Sequence, residues 1–359
     1  MKAFVTGGTG FIGRHVVRKL VERGYDVYGL ARSEKSVAAL AQLGAQAVYG
    51  NILDRESMRE GMQGSDVVFH VAGWYKIGSR DWMQAESINV AGTRHVLSLA
   101  HELGVPKIIY TSTVAVFGNT RGQLADENFY QGGPFATEYD RTKWLAHYKV
   151  AQPLIDKGAP ITIVMPGVLY GPHDHDLVGE LMVRFYKGRL FAVPGSDFTA
   201  TYAHVEDIAE GHILAAEKGR TGESYILAGP AVPLGEVVDF WGQLTAKPVP
   251  LIRIPARFLV PLAPLLDSLS SVIPLPDLLS GEAARLLSVS YMARSDKARA
   301  ELGWRPRSMQ EGMSETFRWI AGTTPVEPLI GQRERKIAGV SMLVAAFLLL
   351  LWFFGRRRD

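Results

Sequence analysis

Three glycines at three-residue spacing open this chain: Thr6–Gly13 reads TGGTGFIG. The short apolar run Ala3–Val5 precedes it, and helical periodicity follows in Phe11, Ile12, Val16, Val17, Leu20 and Val21. Few local patterns restrict a fold more, because the order is strand, glycine turn, helix. Gly7 permits a tight turn, Gly10 lets backbone approach a pyrophosphate, and Gly13 lets the helix pack on the strand. The helix N-terminus at Phe11 and Ile12 then offers unpaired N–H groups and a positive dipole end to phosphates. The expectation is a dinucleotide-binding unit.

The pattern continues. Asp26–Leu30 reads as a second strand, followed by Arg32 where a carboxylate would hold the ribose hydroxyls of NAD. A cation at that point, with Lys35 close by, suits the 2′-phosphate of NADP, so NADP is expected over NAD. Leu40–Val48 contains a helix end and a third strand, and Asn51-Ile52 falls where an adenine loop is expected. Asp66–Ala72 is almost continuously apolar, as in a parallel strand buried on both faces. Ala72-Gly73 then ends that strand beside the cofactor. A helix over Glu86–Leu103 and a strand over Lys107–Thr111 extend the alternation, which implies a doubly wound α/β sheet.

Tyr139 and Lys143 lie four residues apart at the start of a helical stretch, on one face. A tyrosine titrates near 10 and is a poor base at neutral pH. An ammonium one turn away, with a positive nicotinamide, favours the phenolate. Thr113, just past the fifth strand, offers a hydroxyl to a substrate oxygen, with Ser112 as the alternative.

Taken in order, the motifs resemble those of the extended short-chain dehydrogenase/reductases, the NAD-dependent epimerase/dehydratase family. They are Thr6–Gly13; Asn89–Thr93 (NVAGT); Thr111–Gly118 (TSTVAVFG); Tyr139-x-x-x-Lys143; Pro166-Gly167 with Tyr170-Gly171-Pro172; and His204–Ala209. The resemblance covers roughly residues 1–322. It implies that Tyr139 is the acid/base, that Lys143 holds the nicotinamide ribose and lowers the tyrosine's pKa, that Thr113 orients substrate, and that Pro166-Gly167 faces the nicotinamide. Thr113-Val114-Ala115 departs from the Thr-Asp-Glu of sugar-nucleotide dehydratases. Ala200 stands where many epimerases carry a diphosphate-binding arginine, with Arg184 and Arg189 as substitutes. Asn51 replaces a frequent aspartate. The Leu30-Ala31-Arg32 ending of the second strand is more similar to the dihydroflavonol-reductase and 3β-hydroxysteroid-dehydrogenase branch, which acts on bulky apolar alcohols and ketones.

The family division implied is about 1–165 mainly for cofactor and about 166–322 mainly for substrate, interleaved. His173-Asp174-His175-Asp176 reads as a polar loop capping the helix Leu177–Lys187, and no metal is expected. Ala256–Leu279 is apolar but broken by Pro261, Pro264, Pro274 and Pro276. It reads as broken helices over an apolar pocket, as a surface that dips into a bilayer, or as ordinary core. After a linker, 323–336, comes Ile337–Phe354, an uncharged stretch of 18 residues. As a helix it spans about 27 Å, close to a hydrocarbon core of ~30 Å. Arg333, Arg335 and Lys336 flank one end and the basic tail 355–359 the other, so charge barely orients it. A spanning or in-plane membrane helix is expected, with the catalytic domain cytoplasmic.

The 359 residues carry a net charge of +3, too small and mixed to suggest nucleic acid, and no cysteine. Disulfides, thiolate metal sites and cysteine nucleophiles are thereby excluded. The first strand is expected to begin at Lys2, and no signal peptide is expected. The expected function is an NADP-linked interconversion of secondary alcohol and ketone on a hydrophobic small molecule, with a second copy of the chain as a candidate partner. The alternatives are a membrane-anchored NAD-dependent sugar-nucleotide epimerase and a non-catalytic redox sensor.

Overall fold

Alternating strands and helices build one parallel sheet with helices on both faces. A computed structural model describes residues 1–78, 81–269 and 280–323. In chain order the strands are β1 (Lys2–Thr6), β2 (Asp26–Ala31), β3 (Gln46–Tyr49), β4 (Val67–His70), β5 (Ile108–Thr111) and β6 (Ile161–Pro166). Three short strands follow, β7 (Val168–Tyr170), β8 (Ala192–Pro194) and β9 (Thr199–His204). The chain then returns to the main sheet as β10 (Ser224–Leu227), and continues through β11 (Ala231–Pro233) and β12 (Ile252–Ile254). The main sheet has the order β10-β6-β5-β4-β1-β2-β3, and every pairing in it is parallel. The strand order reverses between β1 and β4, and a cleft opens there at the carboxyl ends.

Alternation along buried strands sends side chains into two cores. Phe4, Val68, Ile108 and Tyr110 join one; Ala3, Val5, Phe69 and Ile109 join the other. Burying such a side chain contributes about 1.5–3 kcal/mol. The second core is closed by the helices Phe11–Glu22 and Val205–Lys218, which are also pinned at Glu206 by His15 at 2.7 Å and Arg18 at 2.6 Å. On the other side of the cleft, β9 pairs β7 and β11, and β12 pairs β8. The helices Leu177–Tyr186, Leu234–Thr245 and Met309–Thr323 back this lobe. Their Phe185, Trp241 and Phe317 rings meet with centroids 5.6 to 6.1 Å apart.

The expected helix over 86–103 starts earlier, at Trp82, and is widened over Ser87–Gly92 before Thr93–Glu102. The helix that starts at Glu138 is widened likewise over Ala146–Ala151. Such widened turns aim a side chain that a regular helix would place elsewhere. The first aims Asn89 and the second His147, both toward the site. The Ala256–Leu279 segment is broken as the prolines require, into Ala256–Leu259, Val260–Leu262 and Ala263–Leu269. The last helix runs through Thr323, one residue into the expected linker. The rest of that linker, the apolar stretch 337–354, the basic tail 355–359 and the end of the Ala256–Leu279 segment lie outside the described residues. Among the described residues no helix is long and apolar enough to cross a membrane.

Candidate active site

At the glycine turn the backbone leaves no room for side chains. Gly7 has φ of +72°, and a Cβ there would stand 2.6 Å from Ala72 N; a Cβ on Gly13 would stand 2.0 Å from Gly7 O. Gly10 is the N-cap of the first helix and makes no side-chain cap, and its first turn holds no acidic residue. The free N–H groups of Phe11, Ile12 and Gly13 therefore face the cleft as a phosphate site. These residues, with Gly7 and Gly10, line a cleft of about 830 Å³. A dinucleotide fits this cradle: Gly7 and Gly13 let the turn close on β4 and on the helix with no Cβ between, and Gly10 puts no side chain at the helix N-terminus.

Arg32, Asn51, Ile52, Ala72, Gly73, Pro166 and Gly167 line the same cleft. Lys35 is not among these lining residues; it sits in the first turn of the helix Glu34–Gln42, capped by Ser33, and is exposed, while Ser36 lines the cleft. Asn51 reaches the cleft, but its side-chain oxygen accepts from Leu53 N at 3.0 Å within its own turn.

Thr113, Tyr139 and Lys143 come together beyond β5. Tyr139 is on the first turn of the helix Glu138–Leu145, whose N-cap Thr137 accepts from Asp140 N. Thr113 and Tyr139 both line the cleft, and the Thr113 side-chain oxygen accepts from Ala115 N at 3.2 Å. Ser112 is turned the other way, its hydroxyl 2.8 Å from Nδ1 of buried His147. The geometry therefore favours Thr113 over Ser112 as the hydroxyl facing substrate.

The electrostatics differ from the expectation for a lysine-depressed phenol. Burial pushes the Tyr139 phenol well above its ordinary value, opposed in smaller part by the nearby Thr113 hydroxyl. Lys143 is buried too, and desolvation lowers it to about 7. Its ammonium donates to Thr111 O at 2.7 Å and stands 5.0 Å from the Tyr110 ring centroid. The physical reason is enclosure: both groups lose water, and the lysine's hydrogen bond goes to the strand end instead of the phenol.

Residues without an assigned role in the motifs hold this arrangement. Asn89 Oδ1 accepts from Trp74 N at 2.7 Å, and Nδ2 donates to Trp74 O at 3.1 Å and to Thr142 Oγ1 at 3.0 Å. It thus joins the loop after β4 to the helix bearing Lys143. Tyr75, on that loop, packs edge-on against Tyr139 with centroids 4.9 Å apart. Asn89 was visible in the NVAGT motif; nothing near Tyr75 in the chain points to its contact. Thr6 Oγ1 lies 2.7 Å from His70 Nδ1, and His70 Nε2 lies 2.9 Å from Thr93 Oγ1. Burial lowers His70 to about 3, so it stays neutral beside Lys143.

Past Tyr139 the cleft is walled by Leu177, Leu181, Phe198, Leu234, Leu286 and Leu287. Ala200 is buried in β9, and neither Arg184 nor Arg189 lines the cleft. Among the described residues, the cations that do are Arg32, Lys76 and Lys143. In the polar loop, Asp174 accepts from Asp176 N at 2.9 Å, while Asp176, at the N-cap, makes no side-chain cap itself.

A proton-transfer set placed beside a phosphate cradle belongs to an enzyme that uses a dinucleotide for chemistry. The chain belongs to the NAD dependent epimerase/dehydratase family, whose profile matches residues 3–228, as an extended short-chain dehydrogenase/reductase. It is 32% identical over 329 residues to sterol demethylase protein B of Methylococcus capsulatus, covering 89% of this chain and 98% of that one. It is also 32% identical over 321 residues to the 4-hydroxy-2-methyl-3-oxo-4-farnesyl-3,4-dihydroquinoline-1-oxide ketoreductase of Stigmatella aurantiaca, covering 87% and 95%. The crystal structure of gox2253 superposes with a TM-score of 0.78 at 30% identity, covering 90% and 99%. The protein is an NAD(P)-dependent oxidoreductase acting on CH–OH groups.

Proposed function

We propose that the enzyme interconverts a secondary alcohol and a ketone on a hydrophobic small molecule of steroid or flavonoid type, with NADP preferred, at a membrane surface. One observation carries the substrate class. The lobe beyond Tyr139 is walled mainly by leucines and Phe198, with Lys76, Asp174 and Asp176 also on the lining, and the arginine among the described lining residues, Arg32, stands after β2 on the other side of the glycine turn. A sugar diphosphate needs a cation where Ala200 is buried. The names of the two relatives, a sterol demethylase protein and a ketoreductase of a farnesylated quinoline oxide, agree with an apolar substrate.

Gly7, Gly10, Gly13 and the first helical turn would hold the pyrophosphate, Arg32 the 2′-phosphate, and Lys143 the nicotinamide ribose. An ammonium has three N–H donors, so ribose hydroxyls can share it with the Thr111 carbonyl. When bound, the nicotinamide supplies hydride to the carbonyl carbon or accepts it in reverse. In the reducing direction Tyr139 donates its phenolic proton to the oxygen as the C=O bond becomes C–O–H. The high phenol pKa keeps that proton in place until charge develops on the substrate. Thr113 supplies a hydrogen bond that strengthens as the oxygen becomes negative. The leucine walls keep water from the developing alkoxide.

Membrane attachment is proposed from Ile337–Phe354 alone, an apolar run flanked by basic residues. It would keep a cytoplasmic catalytic domain where a lipid-soluble substrate partitions.

The test uses the full chain. Binding of NADPH and NADH is measured; decalones and sterones are then followed by the absorbance of the reduced nicotinamide, and UDP-glucose with NAD by chromatography for its 4-epimer, because epimerisation returns the nicotinamide to its starting state. Turnover of the apolar ketones with NADPH is expected; turnover of UDP-glucose alone would replace this reading with the epimerase. Arg32→Asp should reverse the preference between NADPH and NADH, and an unchanged ratio sinks the NADP assignment. Flotation with vesicles reads the membrane step separately.

A further inference from the structure

Two hydrogen bonds reach the immediate neighbours of Tyr139 from the far end of the chain. The Glu282 carboxylate, buried between lobes, accepts from Glu138 N at 3.0 Å, across 144 residues. Its other oxygen accepts from Gly78 N at 2.6 Å. On the opposite flank of Tyr139, Tyr291 Oη donates to Asp140 Oδ2 at 2.6 Å, across 151 residues. Both ends of this second bond are buried, with 4% of Tyr291 and 1% of Asp140 exposed. Tyr291 is itself fixed by backbone bonds to β9, from its N to Thr199 O and from Thr201 N to its O.

The place matters because Tyr139 is on the first turn of its helix. Backbone N–H groups there have no intrahelical acceptor, and helix ends fray. Thr137 serves the Asp140 N–H, and Glu282 serves the Glu138 N–H. The Gly78 bond closes the second half of the hold. The loop Trp74–Gly78 carries Tyr75 against the Tyr139 ring; Asn89 grips it at Trp74 and Glu282 at Gly78. A single carboxylate thus fixes both the backbone under the phenol and the ring packed on it.

We infer that Glu282 is a positioning residue for Tyr139, acting through the two backbone N–H groups its carboxylate joins, with Tyr291 holding the opposite flank. The inference rests on Tyr139 being the proton donor. The residue type is required: a carboxylate has two acceptors for two N–H groups. Glutamine offers one acceptor and turns an N–H₂ on the other donor. The hold also gives the segment 280–291 a reason to pack where it does, as a brace from the substrate lobe to the reacting helix.

The test uses the full chain with NADPH and 2-decalone, an apolar bicyclic ketone. Glu282→Gln should lower kcat by about tenfold, the order of one charge-assisted hydrogen bond lost from the hold on the backbone beside Tyr139. KM for 2-decalone and the NADPH dissociation constant should stay within about twofold, because Glu282 is not among the residues that line the cleft. Tyr291→Phe, which keeps the ring and removes the hydroxyl, should lower kcat by a smaller factor in the same pattern. Hydrogen exchange should quicken in peptides containing Gly78 and Glu138 and stay slow in β4 and β5. A wild-type kcat in Glu282→Gln overturns the inference, as does a parallel loss in kcat, KM and cofactor binding, which marks a merely structural role. Exchange reads the hold without a substrate, and unchanged protection at both peptides overturns it as well. Tyr139→Phe separates the two levels. If that variant keeps full turnover, the proton-donor reading falls, whatever Glu282→Gln does to exchange.

Discussion

Lys143 Nζ donates to the carbonyl oxygen of Thr111 at 2.7 Å, tying the helix that bears Tyr139 to the end of β5. The bond fixes an ammonium in a desolvated place, and burial brings its pKa from 10.5 to about 7. The native chain releases this proton more easily than the unfolded chain does.

That difference gives stability a pH slope. Between about pH 7 and about pH 10.5 the unfolded state binds the extra proton, so native stability rises with pH across this window. Below it both states are protonated and the native state bears the cost of a buried charge. Lys143→Met removes the group. In urea unfolding, wild type should gain stability relative to Lys143→Met as pH rises through the window. A constant difference between the two would contradict the assignment.

Asp140 carries a slope of the opposite sign. Burial raises its carboxyl from 3.8 to about 7, against the hydrogen bond from Tyr291. From about pH 3.8 to about pH 7 the native state holds the proton that the unfolded state has lost, so stability falls as pH rises. Asp140→Asn keeps an acceptor for Tyr291 and removes the titration. Wild type should lose stability relative to Asp140→Asn across that range, read from thermal midpoints at several pH values.

Ser112 and Thr113 are adjacent hydroxyls with different partners, so their variants should separate. Ser112→Ala deprives His147 of its buried partner and should cost about 1–3 kcal/mol of stability with little change in kcat. Thr113→Ala removes the hydroxyl that lines the cleft with Tyr139 and should lower kcat with a smaller effect on unfolding. The reverse pattern would assign the substrate-facing role to Ser112.

Gly13→Ala places a Cβ 2.0 Å from Gly7 O, a backbone atom that cannot swing aside. The first helix must move off the glycine turn, at a cost of about 1–3 kcal/mol. Dinucleotide affinity should fall with it, because the same helix end supplies the phosphate N–H groups. Calorimetry and an NADPH titration measure the two losses; a variant with unaltered melting and binding would contradict the close approach.

Local chemistry made much of this protein legible from its residues alone. The glycine turn and the four-residue spacing of Tyr139 and Lys143 depend on contacts within a few residues, which spacing encodes, and the doubly wound sheet was legible from the alternation of strand and helix patterns, although its strands pair across some tens of residues. Which of the residues after β2 face the cleft depends on the turn of the helix Glu34–Gln42, where each residue is rotated by roughly 100° from the last. Where the Lys143 ammonium bonds, and which way burial moves the Tyr139 phenol, depended on what the fold packs around them. Tyr75, Glu282 and Tyr291 left no mark in the pattern, since their partners are far away in the chain. Hydrophobic periodicity and glycine spacing determined that the chain forms a sheet with a dinucleotide cleft. Only tertiary packing decided which buried groups lose their water, and a titrating group's proton affinity follows from that loss.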